Sequence, residues 1–408
     1  MGISKEQKTR SIHIVLFIIT LIATTITGAE WMFSKSLIFG EVTLSSSEIL
    51  AGLYYSLPFL GILTAHEFGH YFTAKYYKVK VTLPFYIPMW FGFIGMPSIG
   101  TMGAFIRIKD LIQSRKEYFD IGIAGPLAGF VIAIFVLTYG FTHLPDAEYI
   151  FNIHPEYKEY GMDYEKYVYE DQEMIFVVGD NLLFLFFENY VADPDKVPNN
   201  YEMYHYPWLF AGYLALFFTA LNLLPIGQLD GGHVIYGLFG YKNSRTISRV
   251  LFILLVGISG VGLIPVGPIN FDFLLNAAFY LLFLYLALHH FEKDLWKRLL
   301  YIIWIMTIQI IALNYFPAAS EYGLYMMFAF LIGRFLGIDH PKAIIDRPLD
   351  LKRKIVGWIA LVIFIISFTP RPLYLEINEK ARIDKPRLEE KDRSDPSKII
   401  TRRMVEVF

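Results

Sequence analysis

The sequence predicts an all-α polytopic membrane protein with about nine transmembrane helices and one membrane-embedded loop or β-hairpin. Three observations predict it. Of 408 residues, 55% are apolar and only 18% charged, against about 25% charged in soluble domains. Apolar runs of roughly 18 or more residues recur along the chain, and lipid leaves the backbone groups of such a run no partner outside their own helix. One further apolar segment carries too many prolines and glycines to form a regular helix.

In chain order, the candidate spans are 12–28, 47–72, 118–141, 207–226, 250–267, 272–289, 298–316, 322–337 and 355–369. Lys5, Lys8 and Arg10 precede the first, as in a signal peptide, but no small-residue cleavage site stands out and the segment is read as a span. After the second span, Val81 to Ile108 contains Pro84, Pro88, Pro97, Gly92, Gly95, Gly100 and Gly103. Non-helical backbone at membrane depth needs protein or water around it, so this segment is read as a loop or hairpin lining a cavity. The plainer alternative is an interfacial loop anchored by its aromatics. Pro145 to Pro207 is acidic and tyrosine-rich and is read as an extracytoplasmic insert, a solvated cap in preference to a ligand-binding domain.

Charge sets an orientation. The N-terminal cluster, Lys75/Lys78/Lys80, Arg107/Lys109/Arg115/Lys116, Lys242/Arg245/Arg249, Lys293/Lys297/Arg298 and Lys352/Arg353/Lys354 all fall inside if the N-terminus is cytoplasmic. The tail from Arg371 then falls outside. A net charge of −2 with no basic domain argues against a nucleic-acid partner. The absence of cysteine removes disulfides, thiolate zinc sites and a cysteine nucleophile.

The chemistry sits at the end of the second span, in His66-Glu67-Phe68-Gly69-His70. Four residues apart on a helix, the two histidines share one face and can bind a single zinc. Glu67 beside them is the natural general base, since ionised metal-bound water needs a carboxylate to receive its proton. Two packing histidines and a solvated glutamate would be the bland reading, but ionisable groups in spans are rare and usually functional. A third ligand should come from another helix. Pro225 and Gly227 interrupt the fourth span and let Asp230 turn towards the metal, with His233, three residues on, as a rival.

His66-Glu67-Phe68-Gly69-His70, followed by Asn222-Leu223-Leu224-Pro225 and Asp230-Gly231, resembles the site-2 protease family of intramembrane zinc metalloproteases. The core resemblance covers Ile49 to Gly240. Asp339-His340-Pro341 through Phe368-Thr369-Pro370 is similar to the chloroplast and cyanobacterial site-2-protease-like branch. The resemblance implies His66, His70 and Asp230 as ligands of one Zn2+ per chain, Glu67 as catalytic acid/base, and Asn222 as the group holding substrate or oxyanion. It matches Gly125-Pro126-Leu127-Ala128-Gly129 to the family's glycine-rich patch; on their own terms Gly125 and Gly129 are a small-xxx-small pair that serves helix packing. No PDZ or CBS module is recognisable.

The implied organisation is an N-terminal helix and loop (1–46), a first half of the protease core (47–144), the acidic insert (145–206), a second half (207–240), a C-terminal transmembrane bundle (241–370) and a charged tail (371–408). Spans two, three and four form the three-helix catalytic core, with the site towards the cytoplasmic side. A substrate helix must unwind before it is cut, so its strand needs a backbone to pair with; Gly100, Thr101, Met102, Gly103, Ala104 and Phe105 are the candidate edge strand. The leading function is cleavage of a membrane-anchored protein substrate in or near its span, in the lipid bilayer. The alternatives are a protease acting on protein tails or lipidated ends, a metal transporter, and a catalytically idle scaffold. The later spans carry few ionisable residues, which disfavours the transporter, and every motif residue is present, which disfavours the idle homologue. No oligomeric state is specified.

Overall fold

A computed structural model describes residues 5–40, 42–169, 174–264, 268–315 and 322–377. The charged tail beyond 377 and the last residues of the fifth candidate span, 265–267, lie outside the described residues. The chain is mostly helical. Its helices are α1 (Lys5–Phe33), α2 (Ser46–Ala51), α3 (Leu53–Tyr76), α4 (Arg115–Thr142), α5 (Ile150–Ile153), α6 (Glu165–Val168), α7 (Leu182–Tyr190), α8 (Pro207–Leu223), α9 (Asp230–Ser259), α10 (Phe271–Ala287), α11 (Leu295–Tyr315), α12 (Leu324–Leu331) and α13 (Leu351–Ser367). The described residues also hold four short strands: β1 (Phe85–Met89), β2 (Gly100–Phe105), β3 (Met174–Val178) and β4 (Leu373–Ile377).

Local chemistry explains the helix starts. Ser45 with Glu48, and Ser114 with Glu117, form reciprocal capping boxes ahead of α2 and α4. Pro207 occupies the first turn of α8, where its missing amide has no intrahelical partner to lose. Among the described residues, four helical segments are long and apolar enough to cross a membrane: Thr9–Phe33, Ser46–Tyr76, Arg115–Thr142 and Leu295–Tyr315. The remaining candidates are shorter or interrupted. Helices α8, α10 and α13 have 17 residues each, which is about 26 Å of rise against a hydrocarbon core of about 30 Å. Helix α9 starts at Asp230, well before the predicted span, and breaks at Gly240, whose φ of 75° no helix contains. Helix α12 runs into a π-turn at Ile332–Leu336.

The core sits where α8 threads past α3, α4 and α13. Helix α8 is buried on nearly every side, and Phe210, Tyr213 and Leu214 are enclosed among Tyr55, Leu137 and Phe141. Helices α3 and α4 approach so closely that a Cβ at Gly69 would overlap the Ala124 carbonyl. Buried Arg115 ties α4 to α9 by donating from Nε to the Gly237 carbonyl at 3.0 Å. By contrast α10 and α11 turn Phe279, Leu282, Ile303, Trp304 and Ile308 outwards, an apolar surface larger than a water-facing protein tolerates.

Among the described residues the strands form two antiparallel pairs. β1 and β2 pair antiparallel, with Phe85 opposite Phe105 and Met89 opposite Gly100 and a bulge between Tyr86 and Pro88. β3, within the acidic insert, pairs antiparallel with β4, which follows α13, with Val178 opposite Leu373. The insert and the start of the tail therefore share one face of the molecule.

Candidate metal centre

His66 and His70 lie one turn apart on the buried side of α3, and their Nε2 atoms are 3.1 Å from each other. The Nδ1 of His70 lies 2.7 Å from the Ile121 carbonyl of α4. That carbonyl can only accept, so it holds the proton on Nδ1 and turns a bare Nε2 lone pair inward, the usual support of a ligating imidazole. Room for the rings comes from glycine. A Cβ at Gly125 would overlap the His70 ring, and one at Gly129 would press on His66 Cβ at 3.1 Å. The glycine patch read as helix packing therefore also clears space for both histidines.

Asp230 arrives from across the core. Helix α8 ends at Leu223, two residues before Pro225, and the chain turns through Leu224–Leu229 with Gly227 at φ 59°. The Gly227 amide donates to Ser248 Oγ at 3.2 Å, and a Cβ at Gly231 or Gly232 would collide with the carbonyls of Leu223 or Gly227. Only glycine lets α9 restart so close to the end of α8. Asp230 is the first residue of α9, a position where the helix dipole favours a carboxylate. Its Oδ2 lies 3.3 Å from Nε2 of His66 and 3.3 Å from Nε2 of His70.

The three separations test the donor set. Ligands at about 2.0–2.1 Å around a tetrahedral zinc stand about 3.3 Å apart. Edges of 3.1, 3.3 and 3.3 Å form one face of that tetrahedron. Two imidazoles and a carboxylate with the fourth direction open fit a catalytic zinc ion. His233 takes no part in the triangle. Its Nδ1 is 2.6 Å from Nε2 of His340, and its ring stacks on Tyr118.

Glu67 is 4% exposed, and one carboxylate oxygen, Oε2, has no hydrogen-bond partner. The Ile106 backbone, just past β2, lies beside the carboxylate. Buried polar atoms are seldom left unsatisfied away from a functional site. A cavity of about 330 Å³ borders Glu67, both histidines and Asp230, and Asn222, Ala104, Phe105 and Ile106 also line it. Of the six candidate strand residues, Ala104 and Phe105 border the cavity. Gly100 and Thr101 do not: a Cβ at Gly100 would strike Thr24 of α1, and Thr101 Oγ1 donates to the Ile87 carbonyl at 2.8 Å. Gly103 donates its amide to Thr101 Oγ1 at 3.0 Å, and Met102 is half-exposed. Among the described residues no strand pairs with the far edge of β2.

Several residues around the site carry no local signal in the sequence. The Ile121 carbonyl acts through backbone alone. Gly122 makes room for His233 as Gly125 does for His70. His340, which the sequence shows only as part of a stretch of family resemblance, braces His233 one helical turn from Asp230.

Helices that pack a metal-ligand triangle and a buried carboxylate inside an apolar bundle define a candidate metal centre in a helical protein of membrane type. The family model for peptidase family M50, the site-2 protease family, matches residues 54–259, half of the chain, and the chain belongs to that family. Among curated proteins, the probable zinc metalloprotease EGY2, chloroplastic, of Oryza sativa subsp. indica is 30% identical over 220 residues, covering 54% of this chain and 35% of the relative. The probable zinc metalloprotease EGY1, chloroplastic, of Arabidopsis thaliana is 28% identical over 227 residues, covering 54% of this chain and 34% of the relative. The probable zinc metallopeptidase EGY3, chloroplastic, of Arabidopsis thaliana is 28% identical over 213 residues, covering 50% and 32%. The match spans about a third of the length of these relatives. No solved structure gives a significant match.

Proposed function

We propose that this chain is a zinc metalloendopeptidase that hydrolyses peptide bonds in or near the membrane-spanning segments of membrane-anchored proteins. The observation that carries the reading is the convergence of His66, His70 and Asp230, at tetrahedral spacing, beside a buried carboxylate with a free oxygen. His66, His70 and Asp230 hold one zinc. Zinc bound there supplies Lewis acidity, which makes water nucleophilic near neutral pH and polarises a carbonyl.

The chain's own residues do the rest. Glu67 takes the proton from the attacking water at Oε2 and returns it to the leaving amide nitrogen. Asn222, at the last turn of α8 and on the cavity wall, offers its side-chain amide to the substrate carbonyl oxygen. An unwound substrate strand pairs along the open edge of β2 and reaches the cavity at Ala104 and Phe105. The apolar bundle around the site keeps bulk water out and lets a substrate helix enter from lipid.

The same reading assigns α3, α4 and α8 to the catalytic core, divided by the insert, with the later helices surrounding it. About nine membrane crossings, a membrane-embedded β1–β2 hairpin, a cytoplasmic N-terminus and a site towards the cytoplasmic side complete the proposal. The test is a comparison of membrane proteomes from cells carrying the wild-type chain and Glu67→Gln. Membrane-anchored proteins should accumulate uncut in the variant, and identical proteomes would refute the proteolytic reading.

A further inference from the structure

The acidic insert brings together a second set of metal-ligating side chains. His154 stands just before the 3-10 turn at Pro155–Glu159, and Glu202 and His205 flank and close the turn at Met203–His205. Nε2 of His154 is 3.2 Å from Nε2 of His205, and Oε2 of Glu202 is 3.0 Å from the second and 3.9 Å from the first. Two of these separations match the edge of about 3.3 Å between ligands of a tetrahedral zinc. The third is the open side of the triangle.

Each ligand is braced at the atom that faces away. His205 Nδ1 lies 2.9 Å from the Met32 carbonyl of α1, and His154 Nδ1 lies 3.1 Å from Oε1 of Glu156. Both partners accept, so both protons sit on Nδ1 and both Nε2 lone pairs face inward. Tyr157, at 3.1 Å, and Tyr169 donate their hydroxyls to Oε1 of Glu202, leaving Oε2 for the centre. Glu202 is 2% exposed and His205 0%, yet Oε2 has no hydrogen-bond partner. Two lone pairs and a carboxylate oxygen that converge in a buried space repel one another. A cation between them removes the repulsion and satisfies the orphaned oxygen.

A metal-free ion pair is the competing account, with a protonated His205 donating to Glu202. It does not satisfy the carboxylate, because Oε2 accepts no hydrogen bond despite the 3.0 Å approach, and a proton on His205 Nε2 goes instead to the lone pair of His154 Nε2, 3.2 Å from that nitrogen.

We propose that His154, Glu202 and His205 bind a second divalent transition-metal ion, zinc by their donor chemistry, which staples the insert to the last turn of α1. This site shares no residue with the first. The insert's Met203 belongs to the same buried cluster as Tyr55 near the start of α3, and His66 lies about three helical turns, roughly 16 Å, further along that helix. Carboxylates that crowd the surface of a solvated cap need no buried partner, whereas Glu202 has been drawn inside by two histidines and two tyrosines.

The test is metal counting on the purified full chain in detergent. The expected zinc content is about two per chain for the wild type, about one for His66→Ala/His70→Ala and about one for His154→Ala/His205→Ala. In the His66→Ala/His70→Ala chain, whose insert is intact, added cobalt(II) should give the visible absorption of a tetrahedral site, saturating at about one equivalent. Adding Glu202→Gln to that chain should abolish the absorption, with circular dichroism and gel filtration reporting the fold. A folded His66→Ala/His70→Ala chain that takes up neither zinc nor cobalt would overturn the proposal. So would full metal content in His154→Ala/His205→Ala.

Discussion

Replacing Gly125 with alanine tests whether the glycine patch of α4 serves the metal centre. A methyl group there would lie within 3.0 Å of three atoms of the His70 ring, a separation real Cβ atoms essentially never show. Ordinary carbon contacts lie at about 3.5–4.0 Å, so the ring must move by about 1 Å or more. Metal sites tolerate about 0.2 Å in a ligand distance. Retreat of α4 offers no escape, because the helix carries the Ile121 carbonyl that holds Nδ1 of His70 at 2.7 Å. Losing a supporting partner of a ligand weakens metal binding by about 10- to 100-fold, and Gly125→Ala should reach or exceed the upper figure, about 2.8 kcal/mol. Gly129→Ala, which meets His66 Cβ at 3.1 Å, should cost much less, and Gly61→Ala on α3, with no atom within 4 Å, should cost nothing. The assay is competition with a chromophoric zinc chelator on the three purified variants, alongside cleavage of one membrane-anchored substrate. Wild-type zinc affinity in Gly125→Ala would refute the claim that these glycines exist to seat the histidines.

Glu67→Gln should retain zinc but lose about 10²- to 10⁴-fold in turnover, measured on any cleaved substrate. Asp230→Ala should weaken zinc binding strongly and His233→Ala only slightly, and the same chelator competition would expose a reversal of the two. Phe105→Pro removes one amide beside the cavity and should slow cleavage of every substrate at unchanged zinc content. Substrates whose helix-breaking glycines are replaced by leucine, which favours the helix by up to about 1 kcal/mol, should be cut more slowly by the wild type. Asp339 is partly buried, which raises its pKa, but hydrogen bonds and charge from Arg249 and Arg245 outweigh burial and hold the carboxyl below its ordinary value. Its stabilising contribution is therefore full above about pH 4 and disappears as pH falls through the lowered value. Asp339→Asn should lower thermal stability at neutral pH by the equivalent of roughly 0.5–1 kcal/mol, and the difference from wild type should vanish in strong acid.

What the sequence determined alone is what short range encodes. Composition and the length of apolar runs identify a helical chain built for lipid, because each span must satisfy its own backbone. The spacing of His66 and His70 sets two imidazoles on one face before any tertiary contact exists, since the helical period is local. Pro225 and Gly227 announce a break, because φ and hydrogen bonding respond to the residue itself. What only the tertiary structure decided is what faces what. Asp230 and His233 are sequence neighbours with comparable ligand chemistry, and the restart of α9 against Leu223 is what turns the first to the histidines and the second to His340. Gly125 reads as a packing residue until the His70 ring occupies the space its missing side chain leaves. His154, Glu202 and His205 carry no spacing motif, and the acidic composition around them points to a solvated cap. Their meeting depends on how the insert folds back on Met32 of α1, a contact between residues remote in the chain that no local period records.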